Sequence, residues 1–143
     1  MKITRHSFEI MDKMISAEPP ESGGILGSSD GKCITDVILD KTDQTASKCC
    51  RYEPNVDYLN ECIAEWLDRN ISFKGIFHTH FAGVATLSDA DIQYIESIMQ
   101  AMPAQIEYLY FPFFVLPERE LVSYKAKKTG TKINIIREET IFS

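Results

Sequence analysis

Three stretches with apolar residues at helical spacing alternate along this chain with short apolar runs closed by glycine, proline and polar turns. That alternation restricts the fold to helices packed on a sheet, because each amphipathic stripe and each apolar strand face needs a partner layer. The first stretch covers about Arg5 to Ala17, with Phe8, Met11 and Ile15 on one stripe, Met14 extending it, and Pro19 and Pro20 stopping it. Its methionines read as core packing. The second runs from Asn55 to Asn70, with Leu59, Ile63, Trp66 and Leu67. The third runs from Ser88 to Ala101, with Ile92, Ile95 and Met99 on one face and Pro103 beyond the end.

Between them lie the expected strands. The first is the glycine-flanked Ile25-Leu26 segment that follows Glu21 and Ser22, closed by the turn Ser29-Asp30-Gly31. The next are Lys32 to Asp40, Ser72 to His80, Ile106 to Leu116, Glu120 to Lys128 and Lys132 to Ile141, the last pair turned by Thr129-Gly130. Lys41 to Glu53 and Phe81 to Leu87 read as loops. The order predicts an α/β (α+β) fold with a single mixed β-sheet flanked by helices, and 143 residues suit one domain, 1–143.

Composition narrows the function classes. With 44% hydrophobic and 25% charged residues the chain is ordinary for a globular protein, so wholesale disorder is not expected. A net charge of −6 argues against nucleic acid, whose phosphates need a basic face. The one basic run, Lys125, Lys127 and Lys128, reads equally well as one exposed side of a strand. Neither the charged N-terminus nor any later segment offers a signal peptide or a membrane span, so a cytoplasmic protein with no membrane partner is expected. Cys33, Cys49, Cys50 and Cys62 show no C-x-x-C spacing, and the vicinal pair fits relaxed disulfide geometry poorly. They read as reduced and structural.

The chemistry concentrates in His78-Thr79-His80, followed after seven residues by Ser88 and then by Asp91. Residues i and i+2 of a strand share a face, about 6.6 Å apart at roughly 3.3 Å per residue. Thr79, between the histidines, points to the opposite face and reads as packing only. Two imidazoles at that spacing can converge on one ion with bonds of about 2.0–2.1 Å. Asp91, in the first turn of the following helix, supplies a third ligand. Two nitrogens and a carboxylate leave one position of a tetrahedral zinc open to water, as catalytic rather than structural sites do. Ser88 and Asp91 also form the Ser-x-x-Asp pattern of a helix capping box, which explains both residues without a metal but leaves the histidines unexplained. Chance assembly of the four positions from this composition is roughly 3 in 10,000.

These residues, together with Glu21 ahead of the glycine-rich strand, resemble the JAMM motif of the JAB/MPN (Mov34/MPN/PAD-1) zinc metallopeptidases, in the compact prokaryotic form. The four-position motif is specific, and the glutamate assignment rests on its glycine-rich context. The resemblance implies the MPN/JAB fold, similar to the cytidine-deaminase-like architecture. It implies one zinc per chain on His78, His80 and Asp91, with water as fourth ligand. Glu21 would then be the general acid/base, and Ser88 the hydrogen-bond donor to the oxyanion. Implied substrates are amides or isopeptides, at the C-terminus of a ubiquitin-like or sulfur-carrier-like protein or in a peptide. Two positions depart from the family pattern: Phe81 and Leu87 stand where prolines are common.

Other readings have weaker support. A zinc nucleobase deaminase needs H-x-E and P-C-x-x-C, and this chain has neither. A barrel amidohydrolase needs about 250 residues. No local signature marks Cys62 as a nucleophile. An MPN-type scaffold module without hydrolase activity is the alternative of another class, and the complete Glu21, His78, His80, Ser88, Asp91 set argues against it.

Overall fold

The computed structural model describes residues 1–15, 21–41, 54–81 and 83–143. In chain order the elements are β1 (Lys2–Ile3), α1 (Arg5–Met14), β2 (Gly23–Ser28), β3 (Asp36–Leu39), α2 (Val56–Asp68), β4 (Ser72–His80) and α3 (Asp89–Ala101). Then follow β5 (Tyr108–Tyr110), β6 (Phe113–Val115), β7 (Glu120–Thr129), β8 (Lys132–Glu138) and β9 (Ile141–Phe142).

The main sheet is mixed. β4 lies near its centre, antiparallel to β2 and parallel to both β5 and β6, which are arranged end to end along it. β3 pairs with the far side of β2, while β7 spans β5 and β6 and carries β8. Alternation along the strands splits the core into two layers. Ile25 and Ile76 join Leu59 and Trp66 of α2 and Ile95 and Met99 of α3 on one face. Leu26 and Phe77 join Met11 and Ile15 of the first helical segment on the other. Part of the glycine content upstream of Ile25 answers to packing: a Cβ on Gly24 would lie 2.1 Å from the Ile38 carbonyl oxygen and 2.8 Å from the Phe77 ring.

Local sequence sets the helix ends. Thr4 caps α1 by accepting from the Ser7 amide at 3.0 Å, and Asn55 caps α2 by accepting from Tyr58 at 3.2 Å. α1 ends at Met14 with Ile15 already extended, short of the expected Ala17. Met14 is 39% exposed and leaves the stripe, and in α2 the buried set is Leu59, Cys62 and Trp66 while Leu67 is 72% exposed. Pro19, Pro20 and all of the expected Lys41–Glu53 loop except Lys41 lie outside the described residues.

Four strand expectations change. The run expected over Lys132 to Ile141 ends at Glu138, and Ile141 falls in β9 of a separate sheet. The run expected from Lys32 begins at Asp36, because the Asp30 carboxylate accepts from the Lys32 and Cys33 amides at 2.7 and 2.9 Å and winds that stretch into the turn. Ile106–Leu116 is two strands rather than one, broken at Pro112, which has no amide hydrogen for a ladder. A two-stranded parallel sheet, β1 with β9, adds to the single expected sheet, and its two-residue strands are too short to show a period. The basic run divides as strand alternation requires. Lys125 lies over the Tyr108 ring at 4.3 Å, while Lys128 donates to the Met102 carbonyl at the end of α3 at 2.8 Å. Cys33 and Cys62 are buried free thiols, and the vicinal pair Cys49 and Cys50 lies outside the described residues. No helix among the described residues is long and apolar enough to cross a membrane.

Candidate metal centre

His78 and His80 end β4 and project from the face that α2 and α3 cover. Their Nε2 atoms approach to 2.7 Å. Two ring nitrogens this close need a proton or a cation between them, since facing lone pairs repel. Asp91 completes the group, with Oδ2 at 3.3 Å from His80 Nε2 and Oδ1 at 3.7 Å from His78 Nε2. One potential ligand atom from each residue lies within 4.8 Å of the others. The side chains are 14%, 7% and 20% exposed for His78, His80 and Asp91, so water can reach the cluster without surrounding it.

The capping box and the ligand cluster coexist. Ser88 Oγ accepts from the Asp91 amide at 3.1 Å, and Asp91 Oδ2 accepts from the Ser88 amide at 3.0 Å. The cap therefore fixes the rotamer that turns Asp91 toward the histidines. It uses a lone pair of Ser88 Oγ, while the hydroxyl, as a donor, helps to keep the Asp91 carboxylate ionised. Burial opposes ionisation of Asp91, but His80, the Ser88 amide and nearby His78 together hold its carboxyl well below the usual carboxylate range. Burial likewise opposes charge on His80, but Asp91, the Val84 carbonyl and the more distant Glu21 raise its pKa.

Supporting contacts absent from the sequence argument complete the centre. His80 Nδ1 lies 3.1 Å from the Val84 carbonyl oxygen. A hydrogen bond there puts the ring proton on Nδ1 and directs the Nε2 lone pair at the cluster. The loop reaches this position because the Gly83 amide donates to the Leu116 carbonyl at 3.0 Å, with Gly83 at φ +69°. Phe113, fully buried and opposite His78 in the β4–β6 register, stacks on His80 at a centroid distance of 4.0 Å. Both departures from the proline pattern are apolar anchors: Phe81 packs on the α1 side of the sheet and Leu87 on the α3 side.

Glu21 stands at the same place. One pocket beside the cluster is lined by Glu21, His78 and Asp91 with Ile76, Tyr94, Ile95 and Phe111. A second is lined by Glu21, His80, Ser88 and Asp91 with Phe81, Val84, Thr86 and Ala90. Glu21 and Asp91 line both pockets, His78 the first, and His80 and Ser88 the second. Tyr94, one turn after Asp91, was within reach of the helical period. Burial, with a smaller contribution from Asp40, raises its phenol pKa and keeps it a hydrogen-bond donor. Thr79, expected only to pack, instead accepts a hydrogen bond from the Ser22 amide at 2.8 Å.

The architecture has solved counterparts. A JAB1/MPN domain protein from Archaeoglobus fulgidus superposes with a TM-score of 0.58 at 16% identity, over 99% of this chain and 98% of that one. This chain has the fold of a JAB1/MPN domain. A protein from Desulfitobacterium hafniense matches with a TM-score of 0.66 at 19% identity, over 99% of this chain and 92% of that one. One from Salinibacter ruber matches with a TM-score of 0.61 at 16% identity, over 100% and 92%. No family model and no curated protein matches the sequence. The JAB1/MPN likeness therefore establishes the fold, and the His78, His80 and Asp91 group within it is able to hold a metal ion.

Proposed function

We propose that this JAB1/MPN-fold chain is a zinc-dependent hydrolase of amide or isopeptide bonds. The observation that carries the reading is the convergence of His78, His80 and Asp91 beside two pockets that Glu21 and Asp91 share, one of them also lined by Ser88. The donor set fits zinc: two imidazole nitrogens and one carboxylate, with the His80 tautomer set by Val84. Zinc held there supplies Lewis acidity and makes water nucleophilic near neutral pH. Glu21 takes the proton of the attacking water and returns it to the leaving amine. Ser88 donates a hydrogen bond from its hydroxyl to the oxygen that gains negative charge. The C-terminal tail of a ubiquitin-like or sulfur-carrier-like protein is the substrate class we favour, with short peptides next.

The direct test is to incubate zinc-loaded protein with ubiquitin-like C-terminal conjugates and a peptide panel, following cleavage by mass spectrometry. Cleavage that a chelator abolishes and zinc restores supports the proposal. No cleavage across both panels favours a scaffold role. Ser88 gives a graded check. Ser88→Ala is expected to lower stability by about 1 kcal/mol through loss of the cap. Its turnover is expected to fall by about 10²–10³-fold through loss of the donor. Ser88→Asp keeps a capping oxygen but has no hydroxyl. Wild-type turnover in that variant rules out the oxyanion role.

A further inference from the structure

We propose that Thr79 is a positioning residue that sets Glu21 on the His78–His80 face, an inference that rests on the acid/base reading of Glu21. The β2–β4 ladder reaches Gly23 opposite His78. One residue further out, the Thr79 amide donates to the Ser22 carbonyl at 2.9 Å, as a continuing ladder requires. The reciprocal bond is different. The Ser22 amide donates to Thr79 Oγ1 at 2.8 Å, so a side-chain oxygen takes the amide that a regular ladder would give to the Thr79 carbonyl.

The consequence falls on Glu21. The hydroxyl acceptor holds the chain at Ser22 while letting it leave the ladder there, and Glu21 is the next residue outward. Glu21 then lines one pocket with His78 and another with His80, which places it on the histidine face of β4. Thr79 is fully buried, so its hydroxyl is held in place by the surrounding core. The same strand end thus orders the two parts of the site: His78 and His80 on one face, and through Thr79 the backbone that carries Glu21.

The test uses cobalt(II) as probe in place of zinc, reading its visible spectrum against pH in the full chain. Wild type, Glu21→Gln, Thr79→Val, Thr79→Ser and the Glu21→Gln/Thr79→Val double variant are compared at equal cobalt content. Glu21→Gln is expected to displace the pH profile. Thr79→Val is expected to displace it in the same direction, Thr79→Ser to restore the wild-type profile, and the double variant to match Glu21→Gln alone. On any substrate cleaved by the wild type, Thr79→Val is expected to lower kcat by about 10–100-fold with KM little changed, the scale of a small misplacement of a reacting group. Should Thr79→Val fail to fold, Thr79→Ala replaces it in the same comparison.

The outcomes separate. An unchanged profile in Glu21→Gln, or failure to bind cobalt, overturns the acid/base reading and this proposal with it. A displaced profile in Glu21→Gln, with Thr79→Val like wild type or with an added displacement in the double variant, overturns the positioning role alone. A lowered unfolding midpoint with an unmoved profile does the same, because it is what a purely structural hydroxyl produces.

Discussion

His80→Ala is expected to remove nearly all of the zinc that the wild-type chain holds at about one ion per chain, the stoichiometry of a mononuclear site. His80 is the best supported member of the group. Its Nε2 lies 2.7 Å from that of His78, its Nδ1 is engaged by the Val84 carbonyl, and its ring is stacked on Phe113. A ring held on three sides loses little freedom on binding an ion, so its contribution to affinity is large. The variant keeps only His78 and Asp91, whereas catalytic zinc sites use three protein ligands. Loss of a contact that merely orients a ligand costs about 10–100-fold in affinity, and loss of the ligand itself must exceed that. Zinc analysis after dialysis against a weak chelator is the measurement. A second readout is thermal: zinc should raise the wild-type midpoint through preferential binding to the folded chain and leave that of His80→Ala unmoved. Equal zinc in wild type and in a His78/His80 double alanine variant would remove the metal centre from this site.

Much of this arrangement was legible in the sequence because it depends on short-range periods. Two residues apart on a strand means one face, which placed His78 and His80 together. Ser-x-x-Asp before a helical stripe means a capping box, which placed Asp91 in the first turn. The helices and the central strand follow from the same periodicities. What could not be read depends on which strands become neighbours. Phe113 supports the histidines only because β6 runs parallel beside β4, a pairing of segments more than thirty residues apart that no local pattern encodes. Val84 contributes a carbonyl, and every residue has one, so its identity carries no signal. Strand alternation points Thr79 away from its neighbours, which reads as packing. That alternation is correct, and it omits the cross-strand amide of Ser22 that the hydroxyl meets. Leu67 and Met14 fit apolar stripes by spacing, yet the helices turn those positions outward, since the stripe is set by where the sheet lies and not by the helix alone.

Glu21→Gln is expected to lower amide cleavage by at least about 10²–10⁴-fold, the usual contribution of a positioned acid/base. The substitution is nearly isosteric, and Glu21 is not among the atoms that converge on the metal position. Zinc content is therefore expected to match wild type. The backbone bonds on either side of the strand end, from Thr79 to Ser22 and from Asp40 to Gly23, do not involve the carboxylate, so the fold is expected to persist. What disappears is the ability to accept a proton, because an amide oxygen is far less basic than a carboxylate. The opposite sides of the site respond differently: a His80 variant loses zinc and activity together, whereas Glu21→Gln loses activity alone. Intact substrate should still bind and be retained, which would make the variant a trap for identifying the natural partner by mass spectrometry. The measurement is zinc content, substrate binding and turnover, wild type against Glu21→Gln. Normal zinc with unchanged turnover would place the base elsewhere and leave the glycine-rich strand start with only the packing role that Gly24 already demonstrates.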